Sequence, residues 1–406
     1  MKRVVVTGMS CITALGDDWP SLRSALEKGD NAVKVMEQWQ DVADLNTKLA
    51  APVTHFQRPS HYKRKMVRSM GRVALMATVA TERALAQSGL LEHPALTNGD
   101  TGIAYGSSTG STPPLIAFAD MMKSGQMSGV TATSYIQMMA HTAPVNIGVF
   151  FGIKGRVITT SSACTSGSQG IGYAYEAIKF GRQKAMVAGG AEELCVTEAA
   201  VFDTLYATSC RNDAPKHTPR PFDKDRDGLV IGEGAGTLIL EEYEHAKARG
   251  ATIYAEIVGF GCNSDGEHVT QPTSDTMQTA ITMALDDAQL NGEQIGYVNA
   301  HGTSTDRGDI AESHATFNAL GRKPISSLKS YLGHTLGACG AIEAWASIEM
   351  MREGWFAPTV NLESVDPQCA QLDYLRQPTK LQCDYVMSNN FAFGGINTSL
   401  IFKRMP

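Results

Sequence analysis

Short Val-, Ile- and Ala-rich runs bounded by glycine alternate with amphipathic stretches along this chain, and after about residue 250 the alternation begins again. Arg3 to Gly8, Gly102 to Gly106, Arg156 to Ser161, Ala185 to Gly189 and Gly236 to Leu240 read as one set of strands. Ile253 to Gly259, Tyr297 to Ala300, Pro324 to Ser327, Tyr385 to Ser388 and Thr398 to Lys403 read as a second. Helices are predicted over Ile171 to Phe180, Thr276 to Leu290, Asp309 to Leu320 and Ala338 to Glu353. Strands that are apolar on both sides and separated by helices must be covered on both faces, which is an α/β plan. Two similar halves are expected, residues 1–250 and 251–406. They should share one core, because no Pro/Ser-rich or charged linker divides them.

Composition narrows the function classes. With 43% hydrophobic and 19% charged residues, the chain can build a large core and shows no sign of extended disorder. A net charge of −6 argues against general affinity for nucleic acid. The strongly apolar stretch Val145 to Ile153 falls well short of the roughly 20 residues a membrane span requires. Eight cysteines without a C-x-x-C pair, behind a start too short in apolar residues for a leader, fit reduced thiols in the cytoplasm.

One cysteine stands apart. Arg156 to Ser161 leads through Ser162-Ala163-Cys164-Thr165-Ser166-Gly167 into the helical pattern from Ile171, so Cys164 sits at a strand-to-helix corner among small residues. Unpaired amides and the positive end of the helix dipole there are expected to favour thiolate over thiol. Cys11, Cys195, Cys210, Cys262, Cys339, Cys369 and Cys383 lack that setting and read as buried or structural thiols.

Two histidines have comparable contexts. Asn299-Ala300-His301-Gly302-Thr303-Ser304-Thr305 and Lys329-Ser330-Tyr331-Leu332-Gly333-His334 each run from a short strand through small residues towards a helix. Zinc is a competing reading of a Cys/His set, although these residues come from distant segments without short ligand spacing. Ser388 to Asn397 places Phe391, Phe393, Gly394 and Gly395 in a sharp loop between strands, where amides could face an oxyanion or simply close a hairpin. Neither glycine-rich loop matches a P-loop or dinucleotide fingerprint.

Taken in order, Cys164 with its neighbours, Ala300-His301-Gly302-Thr303-Ser304-Thr305, Lys329-Ser330 with Gly333-His334, and Ser388 to Asn397 resemble the elongating β-ketoacyl-acyl carrier protein synthases of the thiolase superfamily. Ala188 to Glu193, Arg220-Pro221-Phe222-Asp223 and Arg226-Asp227-Gly228 extend the likeness over nearly the whole chain. The resemblance implies a thiolase-like, duplicated, five-layered α/β/α/β/α fold. It also implies a homodimer, or a heterodimer with a chain-length-factor homologue, and no tightly bound cofactor or metal. Substrates would ride on the phosphopantetheine of acyl carrier protein, with malonyl as the two-carbon extender.

Roles follow residue by residue from the same resemblance. Cys164 would carry the acyl group and His301 and His334 would stabilise an enolate as carbon dioxide leaves. The amides of Cys164 and Phe393 would form the oxyanion hole. Lys329 would pair with Glu343, with Asp309 and Glu312 in support, and Thr303 and Thr305 would hold the pantetheine arm. Thr109, Phe202 and Phe391 would line the acyl pocket. Thr109 stands where relatives usually carry a larger aliphatic residue, so a polyunsaturated or polyketide-like acyl chain is an expectation alongside ordinary fatty acids. Lys63, Arg64, Lys65 and Arg68 would dock the acidic carrier. Asp306 replaces a proline common in the family. A non-catalytic chain-length partner, a Cys-His hydrolase and a thiolase are the competing functions; the first usually lacks the cysteine, and the last would carry a second cysteine near the Phe393 loop.

Overall fold

The valine-rich start of the chain becomes the strand Val4–Thr13, buried at every position. Such a strand, β-branched and apolar on both sides, is stable only between two covering layers. The computed structural model describes residues 1–405. Eleven strands join into one large sheet, within which the first half contributes Val4–Thr13, Thr101–Gly106, Val157–Thr160, Ala185–Glu192 and Gly234–Glu242. The second half contributes Ala255–Ser264, Tyr297–Asn299, Pro324–Ser326, Tyr385–Ala392 and Ile396–Arg404, with Asp373–Tyr374 added at the outer edge.

Counted within each half, the five main strands follow the same spatial order: third, second, fourth, fifth, first. The directions repeat too. In both halves the second strand runs parallel to the third and fourth, and the fifth is antiparallel to its two neighbours. The halves meet where Val4, Val5 and Val6 pair antiparallel with Ile257, Glu256 and Ala255.

The two helices that follow the third strands, Ser166–Lys179 and Cys339–Glu353, lie between the two halves of the sheet. Every residue from Cys339 to Met351 is buried, as expected for a helix walled on all sides. Their close approach depends on glycine: a Cβ on Gly340 would stand 2.7 Å from the Ser168 amide nitrogen, and one on Gly167 would stand 2.9 Å from the Gly337 carbonyl. Arg72–Ser88 covers the outside of the first half, and Ser274–Ala288 with Asp306–Leu320 covers the second. The result is the five-layered α/β/α/β/α arrangement. Among the described residues no helix is long and apolar enough to cross a membrane.

All ten strands of the sequence reading are found; most run further, as Arg3 to Gly8 does in Val4–Thr13, whereas Val157–Thr160, Tyr297–Asn299 and Pro324–Ser326 are shorter than read. The helix expected from Ile171 begins five residues earlier, at Ser166, after a 3₁₀ turn over Ala163–Thr165. Small residues carry no outward helix signal of their own, and it is burial against Cys339–Glu353 that holds them helical.

Candidate active site

Cys164, His301 and His334 are brought together by the same feature of the duplicated topology: each follows the carboxyl end of a parallel strand. Cys164 lies in the 3₁₀ turn after Val157–Thr160, His301 two residues after Asn299, and His334 in the turn beyond Pro324–Ser326. All three are buried, and their ligand atoms lie within 4.8 Å of one another. The imidazoles stand edge to face with centroids 5.2 Å apart.

His334 Nε2 is 2.9 Å from Cys164 Sγ, while its Nδ1 accepts the Leu336 amide at 3.2 Å. Because Nδ1 is used as an acceptor, the ring proton of neutral His334 sits on Nε2 and points at the sulfur. His301 is set the same way, with the Asn390 side-chain amide donating to its Nδ1 at 3.4 Å. Its own amide and that of Gly302 both donate to Glu312, each at 2.7 Å. Burial, then the nearby Lys329 charge, holds both imidazoles well below their ordinary value, so both are neutral donors.

Lys329 is paired with Glu343 inside the protein, and Glu343 also accepts from Asn390 at 2.7 Å. Burial opposes the ammonium charge, but its surroundings, Glu343 among them, hold Lys329 above its ordinary value, so it stays cationic. The Cys164 thiol departs from the sequence expectation. Burial pushes it up to about 11, outweighing Lys329 and the Phe393 and Cys164 amides, which favour the thiolate. The helix N-terminus is present, yet desolvation of a sulfur only 3% exposed costs more than the dipole returns. Those two amides nevertheless converge on the sulfur, where an oxyanion hole would have to be.

These side chains open into a cavity of about 550 Å³ whose walls include Phe202, Phe391, Phe393, Thr303 and Thr305. The Phe202 and Phe393 rings pack 4.9 Å apart beside Cys164. Thr303 and Thr305 share a hydroxyl hydrogen bond of 2.9 Å. Asp309 accepts from the Phe222 and Ser304 amides at 2.7 and 3.1 Å, so it shapes the loop behind these threonines. Burial raises Asp309 to about 6 and Glu312 to about 8. Asp306 sits exposed at the start of the next helix, where its carbonyl and carboxylate accept from Arg226 at 2.8 and 3.3 Å.

Thr109 is not part of this cavity. The Ser108 and Thr109 amides are tied to Glu192 at 2.6 and 3.2 Å, and the chain turns through Gly110 at φ +79°, which leaves Thr109 exposed. Lys63, Arg64, Lys65 and Arg68 are all exposed on a short helical stretch, away from the buried cluster. Cys339, read from sequence as lacking an elbow, begins the helix Cys339–Glu353 and donates to the Cys164 carbonyl at 3.2 Å. It anchors the Cys164 backbone.

Three contributors escaped the sequence reading. Glu192 accepts from Ser107, Ser108, Thr109 and Gly337, tying the first half to the His334 turn. Asn390 bridges Glu343 and His301. Arg226 binds Asp366 and the Thr305 carbonyl at 2.6 and 3.1 Å. All three lie inside segments that carry the family likeness, but nothing in their spacing reveals these contacts.

A metal ion suits this set poorly. Tetrahedral zinc with ordinary bond lengths keeps a sulfur and a nitrogen ligand about 3.5 Å apart. The 2.9 Å approach of His334 to Cys164 is a direct hydrogen bond, and Lys329 already places a positive charge beside both rings.

Residues 1–246 match the family model described as β-ketoacyl synthase, N-terminal domain, and residues 254–363 match β-ketoacyl synthase, C-terminal domain. The chain belongs to the β-ketoacyl synthase family. Among its relatives, 3-oxoacyl-[acyl-carrier-protein] synthase 2 of Vibrio cholerae is 39% identical, covering 100% of this chain and 99% of that protein. A crystal structure of a β-ketoacyl synthase from Burkholderia phymatum is 61% identical, with a TM-score of 0.99 and full coverage of both chains. A chain in the structure of a type II polyketide synthase acyl carrier protein in complex with its ketosynthase, bound to the hexaketide, is 30% identical, with full coverage of both chains and a TM-score of 0.87. The duplicated strand order and the Cys-His-His cluster are therefore read in a β-ketoacyl synthase.

Proposed function

We propose that this β-ketoacyl synthase joins an acyl group held on Cys164 to a malonyl unit borne by acyl carrier protein, releasing carbon dioxide and 3-oxoacyl-acyl carrier protein. It is a condensing acyltransferase. The observation that carries the mechanism is the direction of the His334 proton: Nε2–H faces Sγ, because the Leu336 amide occupies Nδ1. An imidazole held this way donates to the site and does not serve as a base for it, which is the requirement of decarboxylation and not of hydrolysis.

Acyl transfer comes first. Sγ attacks the incoming thioester, the carrier's sulfur departs, and the thiol proton leaves with it. Malonyl thioester then enters along the Thr303 and Thr305 wall. The bond to its carboxylate breaks, and the electron pair passes into an enolate whose oxygen receives hydrogen bonds from His301 and His334. The carbanion attacks the acyl carbonyl, and the amides of Cys164 and Phe393 receive the oxyanion; one such donor is worth about 3 kcal/mol in comparable sites. Collapse expels the Cys164 sulfur as a thiolate, which takes a proton from solvent to restore the thiol for the next cycle. Burial, reinforced by Lys329, keeps both imidazoles neutral, and Lys329 adds positive charge where the enolate develops.

The acidic carrier would dock on Lys63, Arg64, Lys65 and Arg68. A homodimer is supported by the edge strand Val157–Thr160, half of whose residues are exposed, together with exposed Val145, Val149 and Ile116. Each chain carries its own Cys-His-His set, so a chain-length-factor partner is not needed to complete it.

The test is sequential. The enzyme is exposed to an acyl carrier, the Cys164 peptide is weighed, and malonyl-acyl carrier protein is then added while carbon dioxide and 3-oxoacyl product are counted. Acyl-Cys164 and equal yields of the two products are expected; an acyl group on Cys164 that water removes without condensation would sink the reading. Saturated and polyunsaturated acyl carriers compared in the same assay separate ordinary from polyene- or polyketide-like elongation.

A further inference from the structure

Tyr206 occupies a position built for glycine. The helix Val196–Asp203 ends with the Tyr206 amide bonded to the Asp203 carbonyl and the Ala207 amide to the Phe202 carbonyl, which is the Schellman arrangement. Its left-handed residue, normally glycine, is here Tyr206 at φ +54°. Most other non-glycine residues with positive φ have visible reasons: Ala163, Ser304 and Leu336 shape the turns around Cys164, His301 and His334, Phe222 is buried core, and Asn361 is a residue type that tolerates the conformation. Gln289 closes the helix Ser274–Ala288 in the same arrangement as Tyr206, but it does not line the cavity.

Tyr206 has no such compensation. Tyr206 is 90% exposed, and among the described residues its side chain has no hydrogen bond and no aromatic partner. Yet it lines the same cavity that has Cys164 at its base and Thr303 and Thr305 on its wall. An aromatic ring held in an unfavourable backbone state, without contacts to offset the cost, at the entrance through which a thioester must pass, is placed for something that is bound only in turnover.

We propose that Tyr206 is a substrate-recognition residue, whose ring closes against the pantetheine arm of the loaded carrier. The inference rests on the condensing function proposed above. The arm is a chain of amides and methylenes, and a phenol ring offers it an apolar face and one hydroxyl. The arm is chosen over the carrier's protein surface because Tyr206 shares the cavity with the nucleophile.

The experiment compares wild type, Tyr206→Gly and Tyr206→Phe in three measurements: thermal unfolding, KM for malonyl-acyl carrier protein, and KM for malonyl-pantetheine. Tyr206→Gly is expected to unfold at the same or a higher temperature, because glycine suits the left-handed site. Its KM should rise roughly three- to tenfold for both substrates, the range of one aromatic contact, while kcat changes little. Tyr206→Phe should restore most of the loss. A rise confined to the carrier-borne substrate would overturn the arm assignment in favour of the carrier surface. An unchanged KM, or a fall in unfolding temperature for Tyr206→Gly, would overturn the proposal outright. Wild-type enzyme that makes no 3-oxo product would instead refute the condensing function.

Discussion

Removing Lys329 separates its two duties, because the charge it neutralises and the reaction it assists can be restored independently. In Lys329→Met, Glu343 keeps the Asn390 amide at 2.7 Å and the Asn299 side-chain amide, but no cation, inside a site that is 2% exposed. An uncompensated buried carboxylate costs about 3–5 kcal/mol. Glu343 can escape by taking a proton, since burial already raises it above its ordinary 4.5. Protonating such a group costs roughly 1.4 kcal/mol for each pH unit above that value, or about 4 kcal/mol at pH 7.5. The two routes agree in size. The sign follows from the variant holding Glu343 neutral when folded and releasing the proton when unfolded: the deficit grows as pH rises above 4.5 and shrinks as pH falls towards it. Denaturant unfolding at pH 5.5 and 7.5 should therefore show a deficit about 3 kcal/mol smaller at the lower pH. Lys329→Met with Glu343→Leu should recover most of the stability, but not malonyl decarboxylation, which should stay down at least about a hundredfold because the enolate has lost its nearby cation. Decarboxylation returning along with stability would show that the pair is a strut only.

Cys164 offers a second check: with its thiol near 11, iodoacetamide labelling of the free enzyme should accelerate about tenfold per unit from pH 7 to 10, and a plateau below pH 8 would contradict the buried-thiol account. Charge reversal at Lys65 and Arg68 should raise KM for acyl carrier protein and weaken its salt dependence while leaving malonyl-pantetheine unaffected; equal effects on both substrates would remove the docking role. Glu198 is buried with Oε1 unpaired, and burial, then Glu192, raises its carboxyl to about 10. A carboxyl held neutral in the fold and ionised when unfolded loses stability as pH rises from about 4.5 to 10. Glu198→Gln should therefore be more stable than wild type at pH 8 and gain little at pH 5, whereas a gain independent of pH would point to packing.

What could be read without coordinates divides along a physical line. Val4-Val5-Val6 and Ala185 to Gly189 announce strands because β-branched and apolar residues packed between layers leave a local signature. Cys164, His301 and His334 announce themselves because each stands at the end of such a strand among small residues. The state of Cys164 did not follow from its position, since a helix dipole can be placed by sequence but desolvation depends on what closes over the sulfur: Phe202, Phe393 and the Leu336–Cys339 turn come from three separate segments. Thr109 failed for a related reason, its outward turn being set by Glu192, more than eighty residues away in sequence.

The orientation of His334 is the hardest feature to foresee and the one on which the chemistry turns. It depends on the Leu336 amide reaching back to Nδ1, and that requires Leu336 to hold a left-handed backbone at φ +44°. A branched leucine resists that conformation, so no local propensity predicts it. It is held from outside: the adjacent Gly337 amide is fixed on Glu192 at 3.0 Å, and a Cβ there would stand 2.6 Å from the Ser108 nitrogen. Strain beside His334 is thus balanced by contacts from the opposite half of the duplicated fold. That is why the two halves must share one core: His334, the donor proposed for the enolate, is aimed by a carboxylate from the half that carries Cys164.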